Sequence, residues 1–206
     1  VDADYSQIEL RLLAHMAGDE AMQQAFLSGA DFHTVTAAKV FHVPESEVTH
    51  QMRSRAKAVN FGIVYGISDF SQDIHVTVAE AKDYMERYFA TYPGVKQYMT
   101  DIVEKAKEQG YVETLYHRRR ALPELKSSNF IQRSFGERVA LNMPIQGTAA
   151  DIMKLAMLRV YDRLRRENLQ ARLIMQVHDE LIVECPEAER EAVEKLLRQE
   201  MEQVAA

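Results

Sequence analysis

Apolar positions recur at two spacings along the chain, and the places where the spacing changes mark its elements. Val1 to Tyr5 reads as a short strand and runs into a helical repeat, Leu10, Leu13, Ala14 and Ala17, that stops at Gly18. The helical period returns over Phe32 to Phe41 behind Asp31 as N-cap, and again from about Thr49 to Gly62 and Gly66. Thr77 and Glu80 form a capping box ahead of Ala81, Tyr84, Met85, Tyr88, Phe89 and Tyr92. Pro93 and Gly94 interrupt that stripe. A further helix carries Val95, Tyr98, Met99, Ile102, Val103 and Ala106 and ends at Gly110. Residues 111–122 predict a short irregular hairpin. Helices are expected near Arg133 to Asn142 and Ala149 to Arg166, separated by Pro144. Ala171 to Val177 and Leu181 to Cys185 read as a strand pair, and Val193, Leu196, Leu197, Met201 and Val204 as a last helix.

This order of a strand, many helices, a hairpin and a helix is α+β, without the regular alternation of a doubly wound sheet. The aromatic and methionine stripes of the middle helices are core candidates. With 206 residues, 47% of them apolar, the chain can bury one large core or two small ones. No apolar run approaches a membrane span, and no charged-then-apolar leader opens the chain. Cys185 is alone, so no disulfide framework forms within the chain, as suits a reducing compartment. A net charge of −6 argues weakly against a nucleic-acid binder. The basic residues are clustered, however: Arg53, Arg55 and Lys57; Arg118 to Arg120; Arg163, Arg165 and Arg166. Both ends read as cut, since the chain opens on Val1 in a strand and stops at Ala206 in a helical pattern. The expectation is a piece of a larger protein.

Three constellations carry chemistry. In QVHDELIVEC, the residues His178, Asp179 and Glu180 break an apolar run and sit at the tip of a tight hairpin. A solvated turn rich in acid would look the same. In VDADYSQIELR, Asp2 and Asp4 share one side of the first strand. If that strand lies beside the hairpin, Asp4 and Asp179 can face each other and bridge two hard cations. A strand-end solubility feature is the alternative. In RSRAKAVNFGIVYG, the residues Arg53, Lys57, Phe61 and Tyr65 recur every four positions and form one helix face, cationic and then aromatic. Such a face suits a ligand that is part polyphosphate and part ring. A solvated basic helix with a buried aromatic end fits the spacing equally well.

DYSQIELR, RSRAKAVNFGIVYG and QVHDELIVE, in that order, resemble the three signature motifs of the family A DNA polymerases. YFATYPGV, KEQGYVETL and NMPIQGTAADIMK extend the resemblance over nearly the whole chain. It implies a mostly helical fingers subdomain inserted in a small antiparallel palm sheet, incomplete at both ends. Residues 1–30 would be palm, 31–130 mainly fingers, and 131–206 palm with duplex-contacting helices, catalytic hairpin and C-terminal helix. Thumb and exonuclease-like domains would lie outside the chain. The implied activity is template-directed DNA synthesis, in replication and repair, from a dNTP on a primer–template duplex. The parent would be a bacterial, cytoplasmic, nucleoid-associated monomer, and the isolated fragment a poor enzyme. By the same resemblance, Asp4 and Asp179, with the Tyr5 carbonyl, would hold two Mg²⁺ ions, and Glu180 would support them. Arg53, Lys57 and His33 would contact the triphosphate and Phe61 the sugar, where its lack of a hydroxyl implies discrimination against dideoxy substrates. Tyr65 would sit at the base-pair pocket and Glu9 would exclude a ribose 2′-OH. Arg138, Asn142 and Gln146 would reach the duplex minor groove, and Gln176 and His178 the primer terminus. A two-metal nuclease or a non-catalytic nucleic-acid-binding fragment would use some of the same residues.

Overall fold

The computed structural model describes residues 1–65 and 77–204. Gly66, expected near the end of a helix, lies outside them. The chain divides into two compact units, residues 1–8 with 146–206, and residues 9–145. The protein is mostly helical with two small antiparallel sheets, in agreement with the α+β expectation.

In the first unit, β1 (Asp2–Asp4), β4 (Arg172–Val177) and β5 (Glu180–Glu184) form a sheet in the order β1-β5-β4, every pair antiparallel. Leu181 and Val183 of β5 are buried while Ile182 between them is half-buried, as the alternation of strand side chains requires. The register shifts between Leu173 and Met175 on β4, so the strand carries an irregularity before it enters the hairpin. Helix α8 (Arg190–Glu202) buries Val193, Leu196, Leu197 and Met201, the stripe expected from its period. Arg163 ties the end of helix α7 (Phe130–Arg166) to α8 through Glu200 (2.9 Å).

The second unit holds the other helices and the hairpin β2 (Tyr111–Glu113) and β3 (Arg119–Ala121). Helices α1 (Ile8–Met16) and α2 (Glu20–Leu27) precede α3 (Phe32–Phe41), α4 (His50–Val64), α5 (Val78–Thr91) and α6 (Pro93–Gln109). Asp31, Thr49 and Thr77 cap α3, α4 and α5 by accepting from the backbone amides of Thr34, Met52 and Glu80. Glu80 completes the capping box. Helix α6 ends at Gly110, whose φ of 80° is the left-handed conformation that glycine adopts without a Cβ clash. Helix α3 packs on both α4 and α5, and Phe32, Ile63, Tyr88 and Tyr92 are fully buried. A separate cluster of Ala106, Val112, Leu122, Leu125 and Ala140 joins α6, the hairpin and the start of α7.

Two expectations need correction. Helix α2 falls in a stretch left unassigned from the sequence. Its N-cap, Asp19, is buried and works twice: its carboxylate accepts from Met22 N (3.0 Å) and from Gly94 N at the start of α6 (2.9 Å). The helices expected on either side of Pro144 are one helix of 37 residues. Proline there forfeits the bond to the Ala140 carbonyl, and Gly147 and Thr148 beyond it are weak helix formers, but Ala140, Ile145 and Thr148 are buried.

Candidate active site

Of the predicted residues, Asp4, Tyr5, Gln146, Gln176, His178, Asp179 and Glu180 lie in the first unit and the others in the second. In the first unit, β1 lies beside β5 with Asp4 opposite Glu180. His178 and Asp179 alone form the hairpin tip, closed by the pair Val177 and Glu180. Glu180, expected at the tip, is the first residue of β5. His178 adopts a φ of 51°, the left-handed turn conformation. Gln176 braces it by donating from Nε2 to the His178 carbonyl (2.6 Å).

The amide of Tyr5 donates to the carbonyl of Asp179 (3.0 Å), so main-chain bonds bring the end of β1 to the hairpin tip. Partial burial and then the negative charge of Asp179 raise the pKa of Asp4 above the usual carboxylate value. Two acids that repel each other in this way lose that repulsion when a cation lies between them. The Tyr5 hydroxyl donates to the Met201 carbonyl (2.7 Å) in α8, which holds this side chain. Among the described residues no group of three or more His, Cys, Asp or Glu side chains is gathered to hold a metal. Mg²⁺ needs only one or two carboxylates, with water and phosphate completing its octahedron, so Asp4, Asp179 and the Tyr5 carbonyl fit it.

In the second unit, α4 buries Ala56, Val59, Asn60 and Ile63 and turns Arg53, Lys57, Phe61 and Tyr65 the other way, where they are half-buried or exposed. The aromatic end of the stripe is therefore not core. The rings of Phe61 and Tyr65 stack at 6.3 Å between centroids. Arg53 forms a two-pronged pair with Asp31, Nε to Oδ2 at 2.7 Å and Nη2 to Oδ1 at 3.0 Å. That pair and the bonds from Thr34 hold the Asp31 carboxyl well below the usual carboxylate range.

His33 is buried, at 2% exposure. Its ring lies 5.7 Å from that of Phe61, and its Nδ1 is 3.0 Å from Asn60 Nδ2. Burial lowers its pKa to about 4; the charges of Arg53 and Lys57 act in the same direction and Asp31 opposes them. Sequence reasoning missed Asn60, and saw Asp31 only as a cap. Both partnerships join α3 to α4 over more than twenty residues. Glu9 is half-buried in the first turn of α1. Arg138, Asn142 and Gln146 follow one another at four-residue intervals on α7, the first exposed and the others half-buried.

The whole chain, residues 1–206, matches the family model for DNA polymerase family A, and the protein belongs to that family. It is similar to DNA polymerase I of Geobacillus stearothermophilus, 59% identical over 203 residues, which are 98% of this chain and 23% of the relative. DNA polymerase I of Bacillus subtilis (strain 168) is 56% identical over 206 residues, 99% of this chain and 23% of that protein. The chain thus spans less than a quarter of the length of these relatives. Among solved structures, the POL domain of Pol1 from M. smegmatis, in complex with DNA primer-template and dNTP, superposes with a TM-score of 0.95 at 44% identity. That match covers 98% of this chain and 36% of the other.

Proposed function

We propose that the chain supplies the metal-holding and nucleotide-gripping parts of a template-directed DNA polymerase, a larger protein that transfers a nucleotide from a dNTP to a primer 3′-OH. Residues 1–30 and 131–206 serve as palm and 31–130 mainly as fingers. The observation that carries the reading is the β1–β5 ladder, with its Tyr5–Asp179 bond, which brings two repelling carboxylates from the two ends of the chain to one place.

When bound, a pair of Mg²⁺ ions acidifies the primer hydroxyl and neutralises the leaving pyrophosphate. Asp4, Asp179 and the Tyr5 carbonyl hold that pair, and Glu180 supports them from the start of β5. Arg53 offers a planar fork to phosphate oxygens and Lys57 a point charge. His33, neutral at physiological pH, donates a hydrogen bond to the triphosphate. Phe61 packs on the sugar, Tyr65 lies at the nascent base pair, and Glu9 excludes a 2′-hydroxyl. Arg138, Asn142 and Gln146 contact minor-groove acceptors, which every base pair presents, so they sense pairing without reading sequence. Gln176 and His178 face the primer terminus.

The test uses the intact polymerase with Mg²⁺ and an end-labelled primer–template, with and without dNTPs. Lengthening of the primer only with dNTPs, lost in Asp4→Ala and Asp179→Ala proteins of unchanged circular dichroism, is the expected result. Shortening without dNTPs would instead identify a two-metal nuclease. Duplex binding with no extension by the unaltered protein would leave a binding module.

A further inference from the structure

Asn60 is buried to 0% exposure in α4, and its amide is only half used. Nδ2 meets His33 Nδ1 at 3.0 Å, while Oδ1 has no hydrogen-bond partner. A buried amide with an orphaned oxygen is worse than an apolar side chain of the same size unless its other half does something. The partner it does have is a buried histidine, whose two nitrogens cannot be told apart by packing alone. The hydrogen bond separates them. A donor at Nδ1 makes that nitrogen the acceptor and places the ring proton on Nε2.

We propose that Asn60 is a positioning residue that fixes His33 as the Nε2–H tautomer, so that a neutral imidazole presents a hydrogen-bond donor to the nucleotide phosphates. The inference rests on the assignment of His33 to the triphosphate. A phosphate oxygen is only an acceptor, so the opposite tautomer, with a bare Nε2, would repel it. Burial and the nearby charges of Arg53 and Lys57, against that of Asp31, keep the ring from acquiring a second proton at neutral pH. The donor is therefore set by a side chain on the helix that also carries Arg53, Lys57 and Phe61.

The experiment is long-range ¹H–¹⁵N correlation on the intact polymerase labelled with ¹⁵N-histidine, with the His33 signals assigned by their loss in His33→Gln. The unaltered protein at pH 7.5 should show His33 protonated on Nε2 alone. Asn60→Asp, nearly isosteric, offers a carboxylate at the same place and should draw the single ring proton from Nε2 to Nδ1, leaving Nε2 without a donor. Its KM for dNTP should rise roughly tenfold, as expected for one lost hydrogen bond to a charged group, with kcat changed much less. A His33 protonated on Nδ1 in the unaltered protein overturns the proposal without any variant. So does an unchanged tautomer in Asn60→Asp. If His33→Gln leaves the KM for dNTP unchanged while the tautomer is as stated, the assignment of His33 to the triphosphate fails and the Asn60 bond stands as structure alone.

Discussion

The Arg53–Asp31 pair makes a quantitative prediction about nucleotide binding. If Arg53 grips a triphosphate as proposed, it cannot give both prongs of its guanidinium to Asp31 and to a phosphate at once, so the pair must open or be shared. Replacing Asp31 by Asn removes the charge but keeps a good N-cap for α3, because an amide oxygen still accepts from Thr34 N. The pair's side chains are 42% and 36% exposed, which places it among surface ion pairs worth ~0.2–1 kcal/mol. Its two-pronged geometry argues for the upper end of that range. A competitor of that strength is equivalent to up to roughly a fivefold change in affinity. The Asp31→Asn polymerase should therefore show a KM for dNTP lower by about two- to fivefold at low ionic strength. The difference should shrink as salt screens the pair in the unaltered protein. Steady-state primer extension at several salt concentrations measures both. A KM that rises in Asp31→Asn, with thermal stability unchanged, would refute the reasoning: Asp31 would then orient Arg53 for phosphate and not compete with it.

Two further outcomes concern stability. Asp19→Ala removes the cap of α2 and leaves the Gly94 amide without its carboxylate, which together should cost ~2–4 kcal/mol; urea denaturation gives the total, and faster hydrogen exchange at Gly94 locates it. Acid should act through His33, whose pKa falls from an ordinary 6.5 to about 4 on folding. Its contribution is intact above pH 6.5 and is lost as the pH drops toward 4, because the unfolded chain takes up the proton first. At pH 4.5 the loss is roughly 2–3 kcal/mol. The denaturation midpoint of His33→Gln should therefore depend less on pH between 7.5 and 4.5 than that of the unaltered protein.

Much of this arrangement is readable in the sequence because its signals are local. Caps at Asp31, Thr49 and Thr77, the stop at Gly110 and the four-residue stripe on α4 all act within a turn or two, and each stands where the pattern puts it. Helix α2 escaped because it is eight residues long and buries only Met22 and Ala25, too few to establish a period. Asp19 ahead of Glu20 was the signal that could have found it. At Pro144 the local rule was sound, but packing on both flanks outweighed it. In the site, the acidic ends of β1 and β5 were visible, whereas their adjacency required the ladder. The partners of Arg53 and His33 were not visible, because the packing of α3 on α4 sets those pairs and no periodicity encodes it.

The bond from the Tyr5 amide to the Asp179 carbonyl makes the approach of β1 to the hairpin tip a property of the main chain. Its length does not depend on which side chains flank it. Exchanging Asp4 or Asp179 for Asn therefore alters charge while the scaffold's dimensions persist. The separation behaves like the notch of a ruler: neighbouring residues can drift without moving it, and a proline at position 5, which has no amide proton to give, would erase it.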